Sequence, residues 1–435
     1  MLRTLVSQPT FSADWSSDYE EKSAEWFELF LDLLMVCACS NVAEKLKDDY
    51  SVAGVVYFAL MLSIYSCSWS LYISFHARFN ERSLLHYVLL YPFLSGLGGM
   101  LLASDPGADF TTGLVWMRTA AFFMYTWIYA MLPKARPSIW IDLVFLLVSL
   151  VLLFASLAFG RDDSSVVVVY AAVWVWEVPV HLFVGWKGYG IPTGCRIPFH
   201  IDHMTERLGC LVMVVLGESV VSLVINVHDK SRVTPRFFSM MQWAIVVIFS
   251  MAIFYFSVQP PRDLHAMRRS IFAGVAFNFL HWALYPPLLA LGVGTKFVSE
   301  AIVNDTTLES PHVWLLFGST ALSMAIMFSL RLTHFIGRHP APTDPHHVKM
   351  IKYGWWAIVG ASPLLPLACA VFLEWSSDYQ VDPIMALQVL GIFNVIWIVI
   401  ESIVIHYLNA HGQTGFRNSA DETAPLAAKA HHIRD

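Results

Sequence analysis

Residues Ser138–Gly160 read SIWIDLVFLLVSLVLLFASLAFG, twenty-three residues in which Asp142 is the one charge. At 1.5 Å per residue such a helix reaches roughly 34 Å, enough to cross about 30 Å of hydrocarbon. A helix apolar on every face and this long finds its solvent in lipid rather than water.

Working outward, comparable runs recur almost to both ends of the 435-residue chain. Before the quoted stretch they are Trp26–Ala43, Val52–Phe75, Ser83–Ala103 and Thr112–Leu132. After it come Ser165–Trp186, Glu206–Asn226, Phe237–Val258, Ser270–Gly292, His312–Leu330, Tyr353–Leu373 and Ile384–Leu408. The expected fold is therefore all-α, a polytopic transmembrane bundle of about twelve helices. Composition agrees. The chain is 57% hydrophobic and 14% charged, whereas a soluble domain carries roughly 25% charged residues. The net charge of −6 and the lack of a long basic run exclude nucleic acid as a partner and leave the lipid bilayer.

The positive-inside rule orients the chain. With both termini cytosolic, about eighteen Lys and Arg fall on inner segments and about seven on outer ones. Arg78, Arg82, Lys134, Arg136, Arg268, Arg269 and Lys352 are inner examples, while the loops around Asp105 and Glu374–Asp382 carry no cation. Residues 1–25 read as a cytosolic segment without a basic leader, so the first helix serves as its own insertion signal. The transmembrane domain covers 26–408, with halves at 26–186 and 206–408, and 409–435 read as a disordered cytosolic tail. The six cysteines lie mostly in apolar runs and read as small hydrophobes. No cofactor is implied, and the oligomeric state is left open.

Short matches suggest a parallel six-plus-six repeat. Asn41-Val42-Ala43-Glu44-Lys45 after the first span resembles Asn226-Val227-His228-Asp229-Lys230 after the seventh. His76-Ala77-Arg78 and Arg82-Ser83 resemble His265 to Ser270 six spans later. Six is even, so the halves would share one orientation. This alignment sets Asp32 level with Glu218.

Ionisable groups at membrane depth are functional candidates by default. Glu25, Glu28 and Asp32 fall three and four apart, on one face of the first span. A second cluster runs His200, Asp202, His203, Glu206 and Arg207, with Glu218 three turns beyond Arg207 on the same face. Glu177 and His181 flank Pro179 in the sixth span. Asp142, Arg118, Glu401 and His406 lie nearer span ends, where snorkelling accounts for them. Pro286-Pro287 and Pro363 with Pro366 predict broken or kinked helices at the ninth and eleventh spans, with simple bends an equal reading. The histidines of His334–His347 read as a solvated inner loop.

At the two acidic clusters the sequence resembles the low-temperature-requirement A (LtrA) membrane protein family. The resemblance is carried by Glu28-Leu29-Phe30-Leu31-Asp32-Leu33, by His203-Met204-Thr205-Glu206-Arg207-Leu208-Gly209 and by Leu216-Gly217-Glu218. Leu31 and Leu208 stand where the family usually has Phe. The resemblance implies a multi-pass membrane protein associated with growth in the cold, and brings no biochemical activity with it.

Three functions fit these residues. The first is a secondary transporter or ion- or proton-conducting protein, with Asp32 and Glu218 binding a proton or cation and Glu28, His203, Glu206 and Arg207 around them. The second is an intramembrane metal-dependent lipid hydrolase, whose ligands would come from Glu177, His181, His200, Asp202 and His203. The third is a sensor or scaffold in which the charges specify helix packing.

Overall fold

The computed structural model describes residues 5–12, 25–159, 163–187, 191–192, 195–225, 234–260, 264–335, 340 and 344–411. Its order is β1 (Thr10–Phe11), α1 (Trp26–Asp48), α2 (Val52–Arg78), β2 (Phe79–Asn80), α3 (Leu84–Ala103), α4 (Ala108–Met131), α5 (Arg136–Phe159), α6 (Asp163–Val175), α7 (His181–Lys187) and α8 (Ile201–Ile225). Then follow α9 (Pro235–Val258), α10 (Ala266–Arg269), α11 (Ile271–Val303), α12 (Ser310–Phe335), α13 (His346–Ala361), α14 (Leu364–Ser376) and α15 (Pro383–His411). Each of the twelve apolar runs is helical over most of its described residues. Among the described residues nine helices are long and apolar enough to cross a membrane, and α13 with α14 makes a tenth, bent span. The long helices α4 and α8, of 24 and 25 residues, stand outside that count. The fold is an all-α, multi-pass bundle.

Hydroxyl side chains set several helix starts. Ser51, Ser83, Thr234 and Ser270 each accept a backbone N–H from the first turn of α2, α3, α9 and α11, which satisfies donors the helix itself leaves unpaired.

Prolines act in three different ways. Pro179 widens the sixth span into a π-turn, Trp176–Val180, between α6 and α7; it has no N–H to give to the preceding turn. At Pro286-Pro287 the ninth span does not break: α11 runs continuously for 33 residues. Its apolar window is 83% buried, so contacts on nearly all sides hold a helix that has lost two hydrogen bonds. At Pro363 the eleventh span does break, with α13 and α14 inclined by 46°.

The chain forms two compact units, Met1–Ser222 with His281–Val293, and Leu223–Leu280 with Gly294–Asp435. In the first, α3 and α4 meet at Gly96 and Gly113, where an added Cβ on either would fall 2.6 Å from the other's carbonyl oxygen. Bare backbone lets these two helices approach closely. The N-terminal residues strap one end of this unit. Thr10 and Phe11 pair antiparallel with Asn80 and Phe79, Leu5 O accepts from Leu85 N, and Ser7 Oγ donates to Glu81. In the second unit α9 and α15 pack closely, with Gly391 seated against Trp243. The sequence 412–435, including most of the expected tail, lies outside the described residues, as does Asn226–Lys230 of the repeat comparison.

Candidate functional site

The first unit buries a layer of charge between α1, α2 and α8. Glu28 and Asp32 are one turn apart on α1, and His203 and Arg207 one turn apart on α8. Glu28 Oε1 lies 2.9 Å from His203 Nε2, and both side chains are wholly buried. The other Glu28 oxygen accepts the Glu25 backbone N–H at 2.8 Å, part of the helix cap. One turn on, Arg207 Nη2 donates to Asp32 Oδ2 at 2.6 Å and to Glu28 O at 3.1 Å. Trp69 Nε1, from α2, donates to Asp32 Oδ1 at 2.8 Å. Both carboxylates are thus fixed by charge-assisted hydrogen bonds.

The two bridges share one sequence separation, 175 residues. A step of four along α1 matches a step of four along α8, so the two helices run parallel. That agrees with helices an even number of spans apart. Glu218, however, lies beside Ser40. Ser40 lies eight residues, or roughly 12 Å of helix, beyond Asp32. Glu218 is therefore not level with Asp32, and it joins no ion pair among the described residues. The residue that stands opposite Asp32 is Arg207.

Some of the layer's polar atoms are left over. Arg207 Nε and Nη1 and His203 Nδ1 are buried and meet no protein partner. His200 is a helix-start residue: its Nδ1 accepts His203 N at 3.1 Å, and its own N–H goes to Ala77 O at 2.9 Å. Asp202 is half-buried and Glu206 exposed. Among the described residues no three His, Cys, Asp or Glu side chains stand where they would hold one metal ion, so His200, Asp202 and His203 do not converge.

Two further pairs continue the network, and they correct the snorkelling expectation. Arg118 is fully buried and forms a bidentate pair with Glu177, at 2.8 and 2.7 Å. Ser68 Oγ accepts from Arg118 at 3.1 Å, and Cys67 Sγ donates to Glu177 at 3.1 Å. Cys67, Ser68 and Trp69 are consecutive on α2, so that helix links the Arg118–Glu177 pair to the Asp32–Arg207 pair. Asp142 is bound by Arg78 at 2.7 Å and lies 3.3 Å from His181; Arg78 also donates to Tyr125. Glu177 and His181, predicted to share a face, thus serve different partners across the π-turn. His406 is exposed, in keeping with its position near a span end.

Trp69, Arg118 and Asp142 were not among the sequence candidates. A signal for one pair existed: Arg118 is the lone charge of its span, Glu177 is the lone carboxylate of its own, and each requires a counter-charge in lipid.

No curated protein and no solved structure matches the chain. A family model does, that of the bacterial low temperature requirement A protein (LtrA), over residues 23–399. The matched span takes in α1, α8 and all the charge pairs just described, and the chain belongs to the LtrA family.

Proposed function

We propose that the protein is a secondary transporter or proton-conducting protein in which Glu28 and His203 handle the proton. The observation that carries this reading is the Glu28–His203 contact, 2.9 Å long and wholly buried, with His203 Nδ1 still unpartnered. An imidazole with one nitrogen on a carboxylate and the other open can accept a proton on one side and pass it on from the other. Asp32 has the opposite character. Arg207 and Trp69 occupy both its oxygens, so its role here is to anchor α1 against α8 and α2. Glu218 beside Ser40 is a second carboxylate for a proton or small cation deeper along α1. The fully paired Asp32 also favours the scaffold reading for that pair alone.

The Lys and Arg distribution supports cytosolic N- and C-termini. In that orientation the strap of residues 5–12 and the Glu28–His203 pair belong to the cytosolic end of the first unit.

The test uses the full chain in proteoliposomes loaded with a pH-sensitive dye. His203→Gln, which keeps a hydrogen-bonding side chain but cannot carry a proton at neutral pH, is expected to lose most of the proton flux while eluting as wild type. Undiminished flux from the intact variant overturns the assignment.

A further inference from the structure

The second unit holds a buried charge pair of its own, at the broken span. Pro363 and Pro366 remove the N–H groups that would reach Val359 O and Ser362 O. Ser362 Oγ donates to Val359 O at 2.8 Å instead, and Leu365 N reaches Ser362 O at 3.0 Å. The carbonyls are satisfied, but beside the 46° bend there is a cavity of about 30 Å³. Val359 and Ser362 line it, with Ser257 from α9, Arg331 from α12, and Trp397 and Glu401 from α15. The other lining residues are Phe and Met, so Arg331 and Glu401 are the charged groups that face it from these four helices.

Arg331 Nη2 is 2.7 Å from Glu401 Oε1 and also reaches Ser257 O at 3.5 Å. The two side chains are 12% and 9% exposed. Asn394 and Ser323 lie seven and eight residues before Glu401 and Arg331, each about two turns along the same helix face. Both are wholly buried, and neither the Asn394 amide nor the Ser323 hydroxyl meets a protein partner. Neither lines the cavity, whose own polar groups are Ser257, Ser362, Arg331 and Glu401. A volume of about 30 Å³ admits about two waters.

We infer that this wedge is a hydrated proton-exchange site, with water as its ligand, Glu401 as the carboxylate that takes up and releases the proton, and Arg331 as its counter-charge. A hydronium in the wedge gives its proton to a Glu401 oxygen, leaving a neutral carboxylic acid and a water. Arg331 then keeps its contact with Ser257 O. Loss of the proton to water restores the carboxylate and the ion pair. The site is separate from the α1–α8 pair and stands whether or not that pair moves protons.

Infrared difference spectra of wild-type proteoliposomes, acidified minus neutral, test it. The spectrum is expected to contain a carboxylic C=O band that is lost in Glu401→Gln and that shifts downward in D2O. Ser362→Phe, which fills the wedge, is expected to slow that shift several-fold. A Glu401→Gln spectrum identical to wild type overturns the proposal, as does wild-type exchange in Ser362→Phe. Should Glu401→Gln fail to fold, the Ser362→Phe exchange rate decides by itself.

Discussion

Arg118 and Glu177 show how much a single residue depends on its partner. Both side chains are buried, and the bidentate geometry is what makes the burial tolerable. Arg118→Leu leaves Glu177 uncompensated and is expected to destabilise the protein by about 3–5 kcal/mol. Pairing it with Glu177→Leu should recover most of that loss. Thermal unfolding in detergent distinguishes the two variants, and equal melting of single and double would contradict the pairing. Trp69→Phe removes one donor from Asp32 while Arg207 stays, so its expected cost is smaller, roughly 0.6–2 kcal/mol. The sequence placed Glu28 and Asp32 on one face of the first span through their spacing of four, and it put His203 and Arg207 in one cluster. It did not reveal that they pair across helices, since partner choice depends on packing that periodicity does not encode. Glu206 stood in the same motif, yet one position along a helix turns a side chain by about 100°, and it is exposed.

At the scale of elements, apolarity alone located the long helices, because lipid requires length and leaves few alternatives. It could not separate lipid-facing from buried sides. In α5, Trp140, Leu147, Val151 and Phe154 are exposed while Ile139, Leu146, Leu150 and Leu153 are buried; both faces are equally apolar. The prolines were legible as defects but not in their outcome. Whether a defect becomes a π-turn, a break or nothing depends on what surrounds it. Close helix approach was likewise invisible until the backbone was placed. At the Gly96–Gly113 crossing, Gly113→Val is expected to force α3 and α4 apart, since its Cβ would lie 2.6 Å from a carbonyl. The measurement is detergent-solubilised yield and melting temperature. Gly217→Ala, with open space at its Cβ, serves as the control and should stay near wild type. A stable Gly113→Val would contradict the close approach.

For the whole molecule, the LtrA match over residues 23–399 and the helix content agree on a multi-pass membrane protein. The side of the membrane on which each end lies is a separate matter, argued from cations. A cysteine placed at Asp305 is expected to react with an impermeant maleimide from outside intact cells. One placed at Lys134 should react after permeabilisation. The reverse pattern would invert the orientation and, with it, the direction in which a proton crosses. The most direct test of the α1–α8 account compares proton flux in proteoliposomes of wild type, Glu28→Gln and Glu206→Gln. Both glutamates belong to the motifs seen in sequence, but Glu28 is wholly buried on His203 and Glu206 is exposed. The prediction is that Glu28→Gln loses most of the flux and Glu206→Gln keeps it; wild-type flux from a folded Glu28→Gln protein would contradict the account.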